Sequence, residues 1–265
     1  MSTPHTVTLN YTLTRRQDPS AAATPIVLIG SLGANESMWD RQKQPLSQLA
    51  DVVAVDVRGH GNSPAPEGPY TMEQLGDDVL ALLDRLDVDR AYFVGLSIGG
   101  AIVQSIMLQH PHRVAGATLI STATAFGTPA AWADKMETVN TQGTAVLAPT
   151  VVKNWFTDNY GQEGAFAHFT AMIGATSDTG YAGCCAALAG FDSQAALRTC
   201  TLGNKTQVVS ALQDTSTEPE TVAKVHHCLS GSTLITIDGA AHLVNWQLPE
   251  RINEILADHY RSLAA

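Results

Sequence analysis

Hydrophobic residues along the chain fall into short continuous runs, separated by longer stretches in which they recur every three or four positions. The continuous runs predict strands buried on both faces, and the longer stretches predict amphipathic helices. The segment 7–14 instead alternates apolar and polar residues, which predicts a half-exposed strand. Strands are predicted at 7–14, 26–29, 52–55, 91–94, 114–120, 207–210 and 233–237, and helices at 39–50, 71–86, 98–109, 218–229 and 249–262. Strands that alternate with helices in this way predict an α/β fold with a mostly parallel central sheet flanked by helices.

One long segment interrupts this alternation. Between Thr124 and Thr199 the sequence is helix-prone, rich in Ala, Gly and aromatic residues, and has no convincing buried strand. We therefore predict a helical lid at 124–199, inserted into a core formed by 1–123 and 200–265. A chain of 265 residues is compatible with one α/β domain carrying such an insertion.

Composition narrows the class of protein. With 45% hydrophobic and 15% charged residues, the chain can bury a large core and does not resemble a disordered protein. A formal net charge of −10 argues against nucleic-acid partners and against anionic membrane surfaces. No apolar run reaches the roughly 18 residues that a transmembrane helix needs.

The N-terminal sequence lacks a basic region followed by an apolar one, so we expect no signal peptide and a cytoplasmic location. The four cysteines show no spacing typical of zinc ligands. Cys184, Cys185, Cys200 and Cys228 are therefore expected to be reduced thiols.

The segment 95–99 reads Gly-Leu-Ser-Ile-Gly, directly between the predicted strand 91–94 and the predicted helix 98–109. A G-x-S-x-G sequence in this strand–turn–helix context is typical of a nucleophile elbow, a strained turn that exposes the serine hydroxyl. Alternatively, Ser97 could simply cap the helix in a glycine-rich turn. We favour Ser97 as a nucleophile because its expected partners follow in the right order.

A serine hydroxyl needs a general base, and the base needs a carboxylate to orient it. His242 follows the late strand 233–237, at the same sheet edge as Ser97, whereas the rival His60 lies in a glycine-rich turn that we interpret as structural. The expected chain order is serine, acid, histidine. Asp214, just after strand 207–210, fits this order better than Asp192 in the lid or Asp238 close to the histidine.

Acyl transfer also needs hydrogen-bond donors for an oxyanion. The backbone N–H of Ile98, which follows the nucleophile, is one predicted donor. The second is expected from the loop 30–33 after the strand 26–29, where two glycines let the backbone curl inward. Leu32 is the preferred donor and Ser31 the next.

At this point the chain resembles the α/β-hydrolases, and more narrowly the 3-oxoadipate enol-lactonases of aromatic catabolism. The similarity lies in SLGANESMWD (31–40), DVRGHGNSPAPEGPYTMEQLGDDVLALLD (56–84), GLSIGGAIVQ (95–104), YAGCCAAL (181–188) and AAHLVNWQLPE (240–250). It departs in that Ile98 stands where methionine usually follows the nucleophile.

The resemblance implies a serine hydrolase that opens a small-molecule lactone with Ser97, Asp214 and His242, without metal or organic cofactor. The product would be a dicarboxylate, so a cation should bind the remote carboxylate. The candidates are Arg198, Lys135 and Lys153, of which we expect Arg198 to contact the substrate, although each could instead be a solvated surface charge. The remaining predicted substrate contacts are Ser31, Trp39 and Trp132, although either tryptophan could instead pack in the core.

Several alternatives share the same three residues. A general carboxylesterase, a carbon–carbon bond hydrolase and a cofactor-free perhydrolase would differ only in the contents of the pocket. A non-catalytic ligand receptor on the same fold is a further alternative, although no expected catalytic residue is missing. Within the lid, Cys184 and Cys185 are expected to serve as small apolar packing residues. The sequence leaves the oligomeric state open.

Overall fold

A seven-stranded, mostly parallel sheet forms the centre of the protein. The computed structural model describes residues 6–18, 23–161 and 163–264. The strands are β1 (Tyr11–Thr14), β2 (Ile26–Ile29), β3 (Val52–Val55), β4 (Ala91–Leu96), β5 (Val114–Ile120), β6 (Thr206–Ala211) and β7 (Thr233–Ile237), in the spatial order β1-β3-β2-β4-β5-β6-β7. Only β1 runs antiparallel to its neighbour. The predicted α/β fold is confirmed.

The helices cover both faces and the carboxyl edge of this sheet. They are α1 (Asp40–Ser47), α2 (Met72–Arg85), α3 (Ile98–Gln109), α4 (Pro129–Gln142), α5 (Ala148–Trp155), α6 (Glu163–Gly174), α7 (Asp178–Ala189), α8 (Gln194–Leu197), α9 (Pro219–Cys228), α10 (Val244–Gln247) and α11 (Pro249–Ala264). Among the described residues, none of these helices is long and apolar enough to cross a membrane.

The first strand is shorter than its alternating pattern predicts. It pairs only with β3, from Tyr11 opposite Val55 to Thr14 opposite Val52. Tyr11 already pairs with Val55, the last residue of β3, so the preceding segment 7–10 has no strand to pair with. It makes isolated hydrogen bonds instead. The Asn10 amide, for example, donates to the Ser63 hydroxyl over 2.8 Å.

The helix α2 shows how local sequence sets an element. Thr71 and Gln74 form a capping box, each side chain bonding the backbone N–H of the other residue. The buried positions Leu75, Val79 and Leu82 recur at helical spacing and pack against the sheet layer. The helix therefore begins where its cap lies and buries one apolar face.

Helices α4 to α8 lie between β5 and β6 in sequence, in the segment predicted as a lid. The helix α7 of this segment is in close contact with the core. The amide of Tyr70, in the loop before α2, donates to the carbonyl of Gly183 on α7 over 3.4 Å. A Cβ atom on Gly180 would lie 2.3 Å from the Cα of Gly59. Only glycine at both positions lets these two backbones approach so closely.

A buried ion pair anchors the turn after β3. Arg58 donates through Nε and Nη2 to both carboxylate oxygens of Asp78 on α2, over 2.7 and 2.8 Å. The Val7 amide donates to the same carboxylate over 2.8 Å. Both charged side chains are almost completely buried. A bidentate pair of this kind is strong only while both partners are present.

We expect Asp78→Ala to lower the free energy of unfolding by about 3–5 kcal/mol, because it leaves a buried guanidinium without its carboxylate. Urea denaturation followed by circular dichroism measures this. Asp84→Ala is the matched control: its carboxylate pairs with Arg113 but is 65% exposed, so a loss below about 1 kcal/mol is expected. Equal losses in the two variants would contradict the assignment.

Candidate active site

Ser97 lies in a strained turn between β4 and α3. Its backbone has φ 59° and ψ −119°, a conformation that side-chain-bearing residues rarely adopt. The turn is held because the Ser97 amide donates to the Ile120 carbonyl over 3.0 Å and the Thr122 hydroxyl donates to the Ser97 carbonyl over 2.7 Å. The tertiary contacts therefore maintain the strain.

The second glycine of the G-x-S-x-G sequence is required by packing. A Cβ atom on Gly99 would lie 2.1 Å from the Ile29 carbonyl oxygen at the end of β2. The Gly99 amide instead donates to the Gly30 carbonyl over 3.1 Å. The N-terminus of α3 thereby lies directly against the loop after β2, so Ser97 and that loop face the same space.

Asp214 and His242 form a buried hydrogen-bonded pair at the same sheet edge. The His242 Nδ1 and the Asp214 Oδ2 are 2.9 Å apart, and both side chains are almost fully buried. The other carboxylate oxygen accepts the amides of Ser216 and Thr217 over 2.8 and 2.9 Å. A carboxylate fixed in this way holds Nδ1 protonated and leaves Nε2 as the basic nitrogen.

Trp155, at the end of α5, was not predicted from the sequence. Its ring stacks against His242 with centroids 6.5 Å apart and planes 30° from parallel. The Leu243 amide donates to the Trp155 carbonyl over 3.0 Å. The lid segment therefore packs on the histidine loop, a contact that no local sequence pattern marks.

The loop 30–33 is held by two side-chain acceptors on either side of Leu32. The Ser31 amide donates to the Met38 sulfur over 3.2 Å, and the Gly33 amide donates to the His60 Nε2 over 2.8 Å. Within the part of the chain that the structure describes, the Leu32 amide has no acceptor. Ile98 is the first residue of α3, and the first amides of a helix have no intrahelical acceptor. These two N–H groups are the predicted oxyanion donors.

His60, the rival base, has both ring nitrogens engaged within the core. Its Nε2 accepts the Gly33 amide, so Nδ1 carries the proton and lies 3.2 Å from the Arg58 carbonyl. Burial lowers the pKa of His60 to about 4. This neutral histidine supports the loop 30–33 rather than the nucleophile.

A cavity of about 410 Å³ joins these groups. Besides His242, Lys135 and Glu218 are the titratable charged residues among the described residues that line it. The Lys135 ammonium lies 4.7 Å from the centre of the Trp132 ring. The residues of interest on its wall are Ser31, Leu32, Ser97, Trp132, Lys135, Asn154, Trp155, Tyr181, Leu188, Glu218 and His242.

The structure brings some predicted substrate contacts together and leaves others out. Ser31 and Trp132 line the cavity, but Trp39 is completely buried in the core instead. The prediction of Arg198 as the cavity cation needs correction, because Arg198 is exposed just past the short helix α8 and outside the wall. Of the three predicted cations, Lys135 on α4 lines the cavity, and Lys153 is exposed.

The two alternative acids, Asp192 and Asp238, have hydrogen-bond partners other than His242. Asp192 accepts the Gln194 amide over 2.9 Å, and Asp238 accepts the Gln213 side chain over 2.8 Å. Cys184 and Cys185 are fully buried with pKa values raised by burial, in agreement with a packing role. No cluster of three or more His, Cys, Asp or Glu among the described residues could hold a metal ion.

Comparisons with known proteins identify the family to which this fold belongs. A family model described as the α/β hydrolase fold matches residues 24–143. The chain is 32% identical over 253 residues to 3-oxoadipate enol-lactonase 2 of Acinetobacter baylyi, covering 95% of this chain and 92% of that protein. It is 30% identical over 246 residues to enol-lactonase 1 of the same organism, covering 91% and 90%.

A solved structure is similar along the whole length. The crystal structure of the enol-lactonase from Burkholderia xenovorans LB400 superposes with a TM-score of 0.90 at 31% identity, covering 96% of each chain. The similarity therefore includes the sheet, the helices between β5 and β6, and the loops at the carboxyl edge.

We expect the free energy of unfolding to fall on the order of 2 kcal/mol between pH 7.5 and 5 because of His60 alone. Its folded pKa of about 4 lies below the unfolded value of about 6.5. The unfolded chain therefore binds the proton first, and stability present above pH 6.5 is lost as the pH falls towards 4.

Urea denaturation at both pH values measures this loss. His60→Gln keeps an acceptor for Gly33 but does not titrate, so its loss over the same interval should be smaller by that amount. His112→Gln, at an exposed position, is the control and should behave as wild type. A His60→Gln variant with the wild-type pH dependence would contradict the assignment.

Proposed function

This chain belongs to the α/β-hydrolase family and is a carboxylic ester hydrolase, and we propose that it hydrolyses 3-oxoadipate enol-lactone to 3-oxoadipate. Ser97 is the nucleophile of this proposal, His242 the general base and Asp214 the residue that orients it. The observation that carries the proposal is one cavity lined by Ser97, by His242, which Asp214 bonds from behind, and by Lys135, the one Lys or Arg among the described residues of its wall.

In the proposed reaction, His242 Nε2 accepts the Ser97 proton as the serine oxygen attacks the lactone carbonyl. The oxyanion is stabilised by the backbone amides of Leu32 and Ile98, which are already oriented before substrate binds. Collapse of this intermediate breaks the ring C–O bond, and His242 donates the proton that it took from Ser97 to the departing oxygen. The enol formed in this way tautomerises to a ketone. Water activated by His242 then hydrolyses the acyl-serine.

Support for an anionic substrate comes from the charge balance of the cavity. The protein carries a formal net charge of −10, yet a lysine faces the cavity that contains Ser97. Its neighbour Trp132 covers one side of the ammonium, which leaves the opposite side for a carboxylate. A salt bridge shielded from bulk water is stronger than an exposed one.

Glu218 lines the same cavity but is exposed to solvent near the start of α9. Its charge is therefore screened far more than that of a group deep in the cavity. Lys135 attracts an anion and Glu218 repels it, so the two charges orient the substrate. Its carboxylate then lies at Lys135 and its reacting ester at Ser97.

We expect Ser97→Ala to lower kcat/KM for both p-nitrophenyl acetate and enzymatically generated 3-oxoadipate enol-lactone by at least about 10³-fold. Ser105→Ala on the same helix α3, outside this cavity, is the matched control and should keep wild-type rates. Equal rates in wild type and Ser97→Ala would show that Ser97 is not the nucleophile. Rapid cleavage of the acetate ester without turnover of the lactone would instead indicate a general carboxylesterase.

We expect Lys135→Met to lower kcat/KM for the anionic lactone by about 10- to 100-fold, mainly through KM, because one charge-assisted hydrogen bond is lost. The neutral ester p-nitrophenyl acetate should be cleaved at close to the wild-type rate. Lys153→Met removes the same charge at an exposed position and should leave both substrates unaffected. Equal losses for the charged and neutral substrates would show that Lys135 does not bind the carboxylate.

A further inference from the structure

A second cavity, of about 390 Å³, lies at the opposite edge of the sheet. It lies at the amino ends of the parallel strands. Its wall includes Thr24 before β2, Arg90 before β4, Tyr92 within β4 and Lys205 before β6. Tyr92 and Ser97 are five residues apart along one extended strand, which corresponds to about 16 Å. This cavity is therefore separate from the one that contains Ser97.

Its charge is opposite to that of the protein as a whole. Three of its ten lining residues are cations, Arg16, Arg90 and Lys205, and none of the ten is acidic. The nearby carboxylate of Asp51 lies outside the wall and is paired with Arg15 over 2.8 Å. Arg90 and Lys205 are like charges around one space and repel each other, and an anion between them relieves this repulsion.

The walls are preformed and partly aromatic. The Tyr92 hydroxyl bonds the His259 Nδ1 over 2.7 Å, and the Tyr260 hydroxyl donates to the Thr24 carbonyl over 2.8 Å. The two tyrosine rings meet edge to face with centroids 5.5 Å apart. The Tyr92 ring is almost completely buried, whereas Tyr260, Leu49 and Leu263 are partly exposed and give the wall an apolar surface. The volume of the cavity suits a small organic molecule.

We propose that this cavity binds a small organic carboxylate with a planar apolar body, the carboxylate at Arg90 and Lys205 and the body against Tyr260, Leu49 and Leu263. Charge alone would also accept inorganic phosphate. The apolar wall formed by Tyr260, Leu49 and Leu263 favours an organic anion, because it contributes contacts that phosphate cannot make. The site is independent of the reaction proposed for Ser97.

Isothermal titration calorimetry of the full chain with benzoate, acetate and inorganic phosphate tests the site. Benzoate should bind saturably and at least about tenfold more tightly than acetate or phosphate, because only benzoate offers both an anion and an apolar ring. Arg90→Met and Lys205→Met, which keep apolar side chains, should each weaken benzoate binding by about tenfold. Circular dichroism confirms that both variants are folded.

Two lysine variants serve as controls. Lys224→Met removes the same charge from an exposed position on α9, and Lys135→Met removes it from the cavity that contains Ser97. Lys224→Met should bind benzoate as wild type does. Lys135→Met should retain the benzoate binding that Arg90→Met and Lys205→Met weaken, so that binding beside Ser97 is distinguished from binding at this site. The proposal is overturned if Arg90→Met and Lys205→Met bind benzoate normally, if only Lys135→Met weakens binding, or if phosphate binds as tightly as benzoate.

Discussion

The close approach of α3 to the end of β2 is the constraint on which the candidate site depends. Because Gly99 has no Cβ, its backbone lies against the Ile29 carbonyl, and its amide bonds the Gly30 carbonyl. This contact fixes the N-terminus of α3 beside the loop 30–33. The strained turn at Ser97 and the amides of Leu32 and Ile98 then share one space, at the edge where parallel strands end.

A hydrogen-bond network connects this loop with the histidine loop. The sulfur of Met38 accepts the Ser31 amide. The backbone carbonyl of Met38 accepts the side-chain amide of Asn245 over 2.9 Å. The Gln42 side chain donates to the Asn245 carbonyl over 2.9 Å. Side chains from α1 and the turn before it thus hold two loops that are about 200 residues apart in sequence. Such support keeps donors and base in position before substrate binds.

The distribution of charge follows a similar logic. A protein with a net charge of −10 repels small anions at long range unless cations are gathered locally. Lys135 in one cavity, and Arg90 and Lys205 in the other, provide such local fields at opposite edges of the sheet. The low dielectric of a partly enclosed cavity makes each of these charges more effective than one on the open surface.

The sequence by itself determined the sheet and the position of Ser97. Strands buried on both faces must be continuously apolar, and the turn after β4 needs glycines, so both leave local patterns. Chain order also identified Asp214, which bonds His242, over Asp192 and Asp238. Only the tertiary structure decided that a lysine on α4 faces the cavity in place of Arg198. It alone revealed Met38 and Trp155 as supports, and it showed that His60, whose turn the sequence predicted to be structural, bonds the loop 30–33. These contacts join residues distant in sequence, and no periodicity marks them.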